Sequence, residues 1–207
     1  MISFKCNNCA KNFSVPDAYA GRQARCKGCG AALTVPVPLA ASRPENVGEL
    51  KMSPRARRLL SDAEQIETIF GKCEHIRIVN KRNTPPDAYE VEYSVKSLSR
   101  DPKGKPIERM DHRVLIQLTN DYPRLSPQCS MLTPVFHPNI NESTLCVGDH
   151  WTAGERLADL IVRIAEMLAY QAYNIQSPLD GEAAMWADLN QKKLPLDNRD
   201  MRPAAME

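Results

Sequence analysis

Hydrophobic positions change their spacing several times along the chain, and each change predicts an element. Residues 1–36 are sparse in apolar side chains; Phe13, Val15, Tyr19 and Ala20 offer at most a miniature core. About 35 residues do not fold on so little without a staple. Residues 37–53 combine prolines and small residues with no periodicity and read as a linker. Ser53-Pro54 then sets an N-cap before a first-turn proline, and Leu59, Leu60, Ala63, Ile66, Ile69 and Phe70 follow at helical spacing up to Gly71. A helix over 54–70 is predicted. Beyond it the period drops to two: Ile76 and Ile78, then Tyr89, Val91, Tyr93 and Val95, then Val114, Ile116 and Leu118, with a weaker candidate over 128–132. Connections rich in Pro, Asn, Asp and Gly separate these runs, which predicts a meander of three or four half-buried antiparallel strands. Residues 133–154 show no period although they hold Phe136, Leu145, Val147 and Trp151. Helical spacing returns with Leu157, Leu160, Ile161, Ile164 and Leu168, for a helix of about 155–171. A last helix is predicted over 180–191, and the polar residues 195–207 read as a loose tail. The order implies an α+β domain over 54–194 behind a small module and a linker.

Composition narrows the picture. The 43% apolar and 25% charged content is that of a globular chain. An uncharged apolar run such as Ala31 to Ser42 has twelve residues, short of the about 20 a membrane span needs. The start MISFKCNNC has no apolar segment of the kind a secretory signal requires. A net charge of +2 gives no general attraction to nucleic acid or membrane. Seven cysteines, an odd number, without a secretory signal point to the cytoplasm and to thiols rather than disulfides.

Four of those thiols are grouped: Cys6-x-x-Cys9 and Cys26-x-x-Cys29, separated by sixteen residues. Two cysteines three apart on a tight knuckle aim both sulfurs at one ion, and two knuckles complete a tetrahedron that suits zinc. Four thiolates leave no open coordination position, so the metal is structural. The module carries Lys5, Lys11, Arg22, Arg25 and Lys27 against Asp17. Four thiolates around one divalent ion offset half of that excess. Residues 4–36 resemble the short zinc ribbons of many bacterial proteins.

The aperiodic stretch holds the other grouping. It runs Tyr122-Pro123-Arg124-Leu125-Ser126-Pro127, then His137-Pro138-Asn139, then Cys146 seven residues past the asparagine, then Trp151 and the long helix. Over residues 54–191, in these motifs and in element order, the sequence resembles the ubiquitin-conjugating enzymes. The resemblance implies their fold, an antiparallel meander with flanking helices, here preceded by the ribbon. It implies a thioester-forming transferase. Cys146 accepts the C-terminal acyl group of a ubiquitin-like protein from an activating enzyme and passes it to a lysine amine on a target. A thiolate suits this work because it is both a good nucleophile and a good leaving group. It assigns Asn139 to oxyanion or loop support and His137 to loop organisation, and it places Ser177, before Pro178-Leu179, where relatives carry an acid that guides the incoming lysine. Asp180 and Asp149 are the acids left to assist, and His150 lies near Cys146 in sequence. Cys73 and Cys129 are expected to be ordinary packed thiols.

The resemblance also implies that the basic residues Arg55, Arg57 and Arg58 of the first helix meet the activating enzyme. Arg124 and Thr152-Ala153-Gly154 replace the residues that relatives offer to RING ligases, so any ligase is expected to be of a non-eukaryotic type. A ribbon joined to this fold implies a bacterial conjugation system and, by analogy, a role in antiphage defence. Two other readings remain open from sequence: a catalytically silent adaptor that only binds a ubiquitin-like protein, and a zinc-dependent nucleic-acid adaptor, which the near-neutral charge disfavours.

Overall fold

The computed structural model describes residues 1–36, 52–147 and 151–206; most of the expected linker lies outside them. The chain divides into two compact units, Met1–Lys51 and Met52–Glu207.

The first unit is two hairpins built alike. Strands β1 (Ile2–Lys5) and β2 (Asn12–Val15) pair antiparallel, as do β3 (Gln23–Arg25) and β4 (Ala32–Thr34). Each turn carries one Cys-x-x-Cys. In each, the first cysteine's amide bonds across the turn (Cys6 to the Lys11 carbonyl, Cys26 to the Ala31 carbonyl), and the residue after the second cysteine bonds back to the first. That residue is left-handed in both turns: Ala10 at φ 58° and Gly30 at φ 73°. The small core consists of Ile2, Leu33, Val35 and the two leading cysteines, with Phe4 and Phe13 half-buried over it. Tyr19, expected inside, is 48% exposed, with the Arg22 guanidinium 5.4 Å from its ring centre. It sits on the 3-10 turn Asp17–Tyr19, which points its side chain outward.

The second unit opens with helix α1 (Pro54–Phe70), where the Ser53 hydroxyl accepts the Ala56 amide at 3.1 Å as the N-cap predicted. Four strands follow: β5 (Ile76–Arg82), β6 (Ala88–Arg100), β7 (Pro106–Gln117) and β8 (Gln128–Met131). The aperiodic stretch adds two more, β9 (Ile140–Asn141) and β10 (Thr144–Leu145), giving a sheet of order β5-β6-β7-β8-β10-β9 with antiparallel neighbours. Period-two alternation puts Tyr89, Val91, Tyr93, Val95, Val114 and Ile116 on the covered face, each fully buried. Helix α2 (Leu157–Leu168) lies in the same core with nine of its twelve residues buried. Each such Leu or Ile contributes about 1.5–3 kcal/mol by leaving water, so cutting Ile164 to Ala would cost about 2–5 kcal/mol. Helix α3 (Gly181–Leu189) is capped by Asp180, whose carboxylate accepts the Ala183 amide at 3.0 Å.

The tail expected to be loose is tied down. Leu196 and Asp197 bond to the Ala169 carbonyl, Met201 is 1% exposed in the main core, and Gln171 donates to the Asp197 and Arg199 carbonyls at 2.8 Å. Asp197 accepts the Lys96 amide at 3.0 Å and Arg199 donates to the Ser94 carbonyl at 2.7 Å, covering an irregularity in β6. Two apolar side chains, Leu196 and Met201, anchor an otherwise polar strap. Among the described residues no helix is long and apolar enough to cross a membrane.

Candidate functional site

The seven-residue spacing between Asn139 and Cys146 is a hairpin register. Asn141 faces Thr144 and Ile140 faces Leu145 across a two-residue turn, Glu142-Ser143. One step further, the Cys146 amide donates to the Asn139 carbonyl at 3.1 Å. Leu145 points into the core and the next side chain outward, so the Cys146 thiol is exposed.

His137 and Asn139 hold the other side of this hairpin. His137 is fully buried; its Nδ1 accepts the Asn139 amide at 3.1 Å, which leaves the proton on Nε2. Among the described residues Nε2 makes no hydrogen bond of normal geometry. Burial pushes the imidazole down to about 3, so it is neutral at ordinary pH. The Asn139 side chain is clamped: Nδ2 donates to the Asn174 carbonyl at 2.9 Å and Oδ1 accepts the Asn174 amide at 2.7 Å. Those backbone partners fix which end is nitrogen. The second Nδ2 hydrogen is not used by that pair.

The chain from Asn174 to Asp180 lies along this turn, because the Pro138 carbonyl accepts both the Leu179 and the Asp180 amides, at 2.7 and 3.1 Å. Ser177 sits in that segment, exposed. Asp180 is committed elsewhere: besides capping α3 it meets Arg100 at 3.5 Å, and Arg100 pairs with Glu182 at 2.6 Å and stacks on Phe136 at 4.2 Å. Both carboxylate oxygens of Asp180, one of the two acids left to assist, thus have partners within the domain. Gly148, Asp149 and His150 lie outside the described residues. On either side of them the chain is pinned, Val147 through its carbonyl to Arg163 at 3.0 Å and Trp151 through its indole to the Pro123 carbonyl at 2.8 Å.

Three contributors carry no sequence signal. Asn174 and Arg163 act on residues 35 and 16 positions away. Tyr170 ends α2 in the left-handed region at φ 58°, donates its hydroxyl to the Phe136 carbonyl, and sets its ring edge-on to His137 at 4.6 Å. Burial pushes its phenol well above the usual range, so it stays a donor.

Two of the three basic residues of α1 that the resemblance offers to an activating enzyme also make internal bonds. Arg55 donates to the Leu118 and Thr119 carbonyls at 2.8 and 3.2 Å. Arg58 pairs with buried Asp62 at 2.9 Å and reaches the Tyr122 hydroxyl and the Ala153 carbonyl, at 2.9 and 2.7 Å. Arg57 is exposed. Cys129 is buried and pushed up to about 12 by desolvation, an inert thiol. Cys73 is half-buried beside His75.

In the first unit the ligand atoms of Cys6, Cys9, Cys26 and Cys29 lie within 4.8 Å of one another. Cys6 and Cys29 are 3.7 Å apart and Cys9 and Cys26 3.6 Å. A disulfide would need about 2.05 Å, whereas zinc–sulfur bonds of about 2.3 Å arranged tetrahedrally give edges of about 3.8 Å. The four sulfurs fit a metal ion. The four thiols do not shift alike: Asn8 and the Ala31 amide draw Cys29 down to about 6 and the Cys29 and Gly28 amides lower Cys26, whereas Cys9, against the pull of the Lys11 amide, is pushed up to about 12 by the neighbouring sulfurs.

Against known proteins, the family model described as ubiquitin-conjugating enzyme matches residues 79–196. A probable ubiquitin-conjugating enzyme of Acanthamoeba polyphaga mimivirus is 25% identical over 122 residues, covering 54% of this chain and 76% of that protein. One of Arabidopsis thaliana is 31% identical over 91 residues, covering 42% of this chain and 58% of the relative. The structure of a Trypanosoma cruzi protein classed with the ubiquitin-conjugating enzymes superposes with a TM-score of 0.50 at 17% identity, covering 68% of this chain and 94% of the other.

Proposed function

Since the chain belongs to the ubiquitin-conjugating enzyme family, we propose that Cys146 forms a thioester with a ubiquitin-like protein and transfers it to an amine. The observation that carries this reading is the hairpin register that pairs the Cys146 amide with the Asn139 carbonyl and leaves the thiol exposed. The Cys146 thiolate adds to the thioester carbonyl presented by an activating enzyme, and the tetrahedral oxyanion collapses with departure of that enzyme's thiolate. A deprotonated target lysine then adds to the Cys146 thioester. The adduct gives its excess proton to solvent, and the Cys146 thiolate leaves. The Nδ2 hydrogen of Asn139 that Asn174 does not use is the donor for the developing oxyanion, a role for which a fixed side-chain amide costs no reorganisation. Neutral His137 organises the turn through its bond to the Asn139 amide and takes no proton. Ser177 accepts a hydrogen bond from the incoming amine.

The four cysteines of the ribbon hold a structural zinc ion, which supplies the cross-link that a core of this size lacks. Arg57 is the α1 side chain left to meet the activating enzyme. Together with the ribbon, this describes a cytoplasmic conjugating enzyme of a bacterial ubiquitin-like system.

The test is to incubate the protein with the activating enzyme of its own system, the ubiquitin-like protein which that enzyme charges, and ATP, and to run non-reducing gels with and without thiol. The expected result is a thiol-sensitive adduct that Cys146→Ala lacks. With the activating enzyme visibly charged, no adduct, or one retained by Cys146→Ala, would overturn the reading in favour of a silent adaptor.

A further inference from the structure

The geometry points to Tyr170 as a positioning residue for the acyl transfer, a buried phenol that fixes the Phe136 carbonyl and with it the turn holding Asn139 against Cys146. The inference rests on the reading of Cys146 given above.

Tyr170 occupies a place where helices usually end in glycine. Its φ of 58° is left-handed, a conformation a glycine would adopt without strain and a tyrosine does not. Backbone strain of this kind persists where the surroundings over-determine it, and it concentrates at functional sites. Here the surroundings are the turn itself. The side chain is 1% exposed, its hydroxyl donates to the Phe136 carbonyl, and its ring meets His137 edge-on at 4.6 Å and Trp186 at 6.1 Å. The Phe136 amide donates to the Leu98 carbonyl of β6 at 2.8 Å. The peptide groups either side of Phe136 are therefore held from two directions, by the sheet through Leu98 and by the end of α2 through Tyr170. The next residue is His137, whose Nδ1 holds the Asn139 amide.

The backbone makes the same connection by a second route. Four residues past Tyr170, Asn174 clamps both ends of the Asn139 amide at 2.9 and 2.7 Å. The left-handed step at Tyr170 thus directs the chain that grips Asn139, and the side chain of the same residue grips the peptide three positions before it. Tyr170 itself touches no reacting atom. Its effect on the transfer runs through Asn139.

The test uses the full chain charged at Cys146 with the ubiquitin-like protein of the gel assay above and discharged to free lysine in single turnover, over a range of lysine concentrations. Tyr170→Phe keeps the ring contacts and removes the hydroxyl. We expect the maximal discharge rate to fall about tenfold with the half-saturating lysine concentration unchanged. In an Asn139→Ala background the same substitution should change the rate less than twofold, because the group it positions is gone. Hydrogen exchange of the Asn174 amide should quicken in Tyr170→Phe while that of Val91, in the middle of the sheet, does not. Discharge unaffected by Tyr170→Phe, or an equal loss in both backgrounds, would overturn the inference and leave the reading of Cys146 standing. A wild-type chain that never charges would overturn both.

Discussion

His137 is buried without a charged partner, and acid works against the fold at that point. The imidazole is pushed down to about 3 from an ordinary 6.5. As pH falls the unfolded chain takes up the proton first. The stability tied to the neutral ring is therefore whole above about pH 6.5 and is lost as pH drops from there toward 3, at about 1.4 kcal/mol per pH unit. His112, buried in β7, shifts in the same direction by desolvation and adds to the trend. Between pH 7 and pH 5 the protein should lose about 2 kcal/mol more stability than His137→Gln does. Urea unfolding of the two proteins at both pH values measures this, and equal losses would refute it. Only part of the residue-scale site was legible in the sequence. His137, Asn139 and Cys146 stand out as a spaced motif. Asn174 and Tyr170, which hold them, lie more than 30 positions away from the turn they support, in a stretch with no local pattern to distinguish them.

At the scale of elements, α1 is fastened to the loops after β7 and before α2 through one buried carboxylate. Asp62 is 2% exposed, accepts two bonds from Arg58 at 3.0 and 2.9 Å, and takes a third from the Tyr122 hydroxyl. Removing one member of such a set strands the others, so Asp62→Ala should cost about 3–5 kcal/mol, read from the denaturant midpoint. The ribbon's two hairpins offer a matched comparison, since the same left-handed position holds alanine in one and glycine in the other. A Cβ on Gly30 meets nothing within 4 Å, so the cost of Gly30→Ala is conformational alone, about 1 kcal/mol. Loaded with zinc, that variant should lose the ion to a chelator several-fold more readily than the parent protein, and Ala10→Gly should not. Helix α1 was legible to its ends because Ser53, Pro54 and Gly71 punctuate it and six apolar residues repeat at its period. Strands β9 and β10 were not, because two residues each are too few to show alternation. Helix α2 ends at Leu168, short of the periodic prediction, because Tyr170 turns left-handed where the apolar spacing gives no warning.

At the scale of the molecule, two compact units predict two separable responses to metal removal. A chelator should abolish the structure of the ribbon, whose core is too small to stand alone. It should leave the cooperative unfolding of residues 52–206 and the formation of the Cys146 adduct unchanged. Circular dichroism with parallel gels measures both, and loss of the adduct on chelation would contradict the division. The strap after Leu194 read as solvent-facing because Leu196 and Met201 are isolated among charges and prolines, too sparse to register as a pattern. Its burial bears on how the protein is made. Ribosomes add about 5–20 residues per second, so roughly 10–30 s separate the last residue of the ribbon from Met201. Through that interval the four cysteines of the nascent ribbon are already available to a metal ion. The sheet and α2 wait, with the place of Met201 in their core unfilled and the irregular stretch of β6 uncovered, for the segment that carries Asp197, Arg199 and Met201 to be translated.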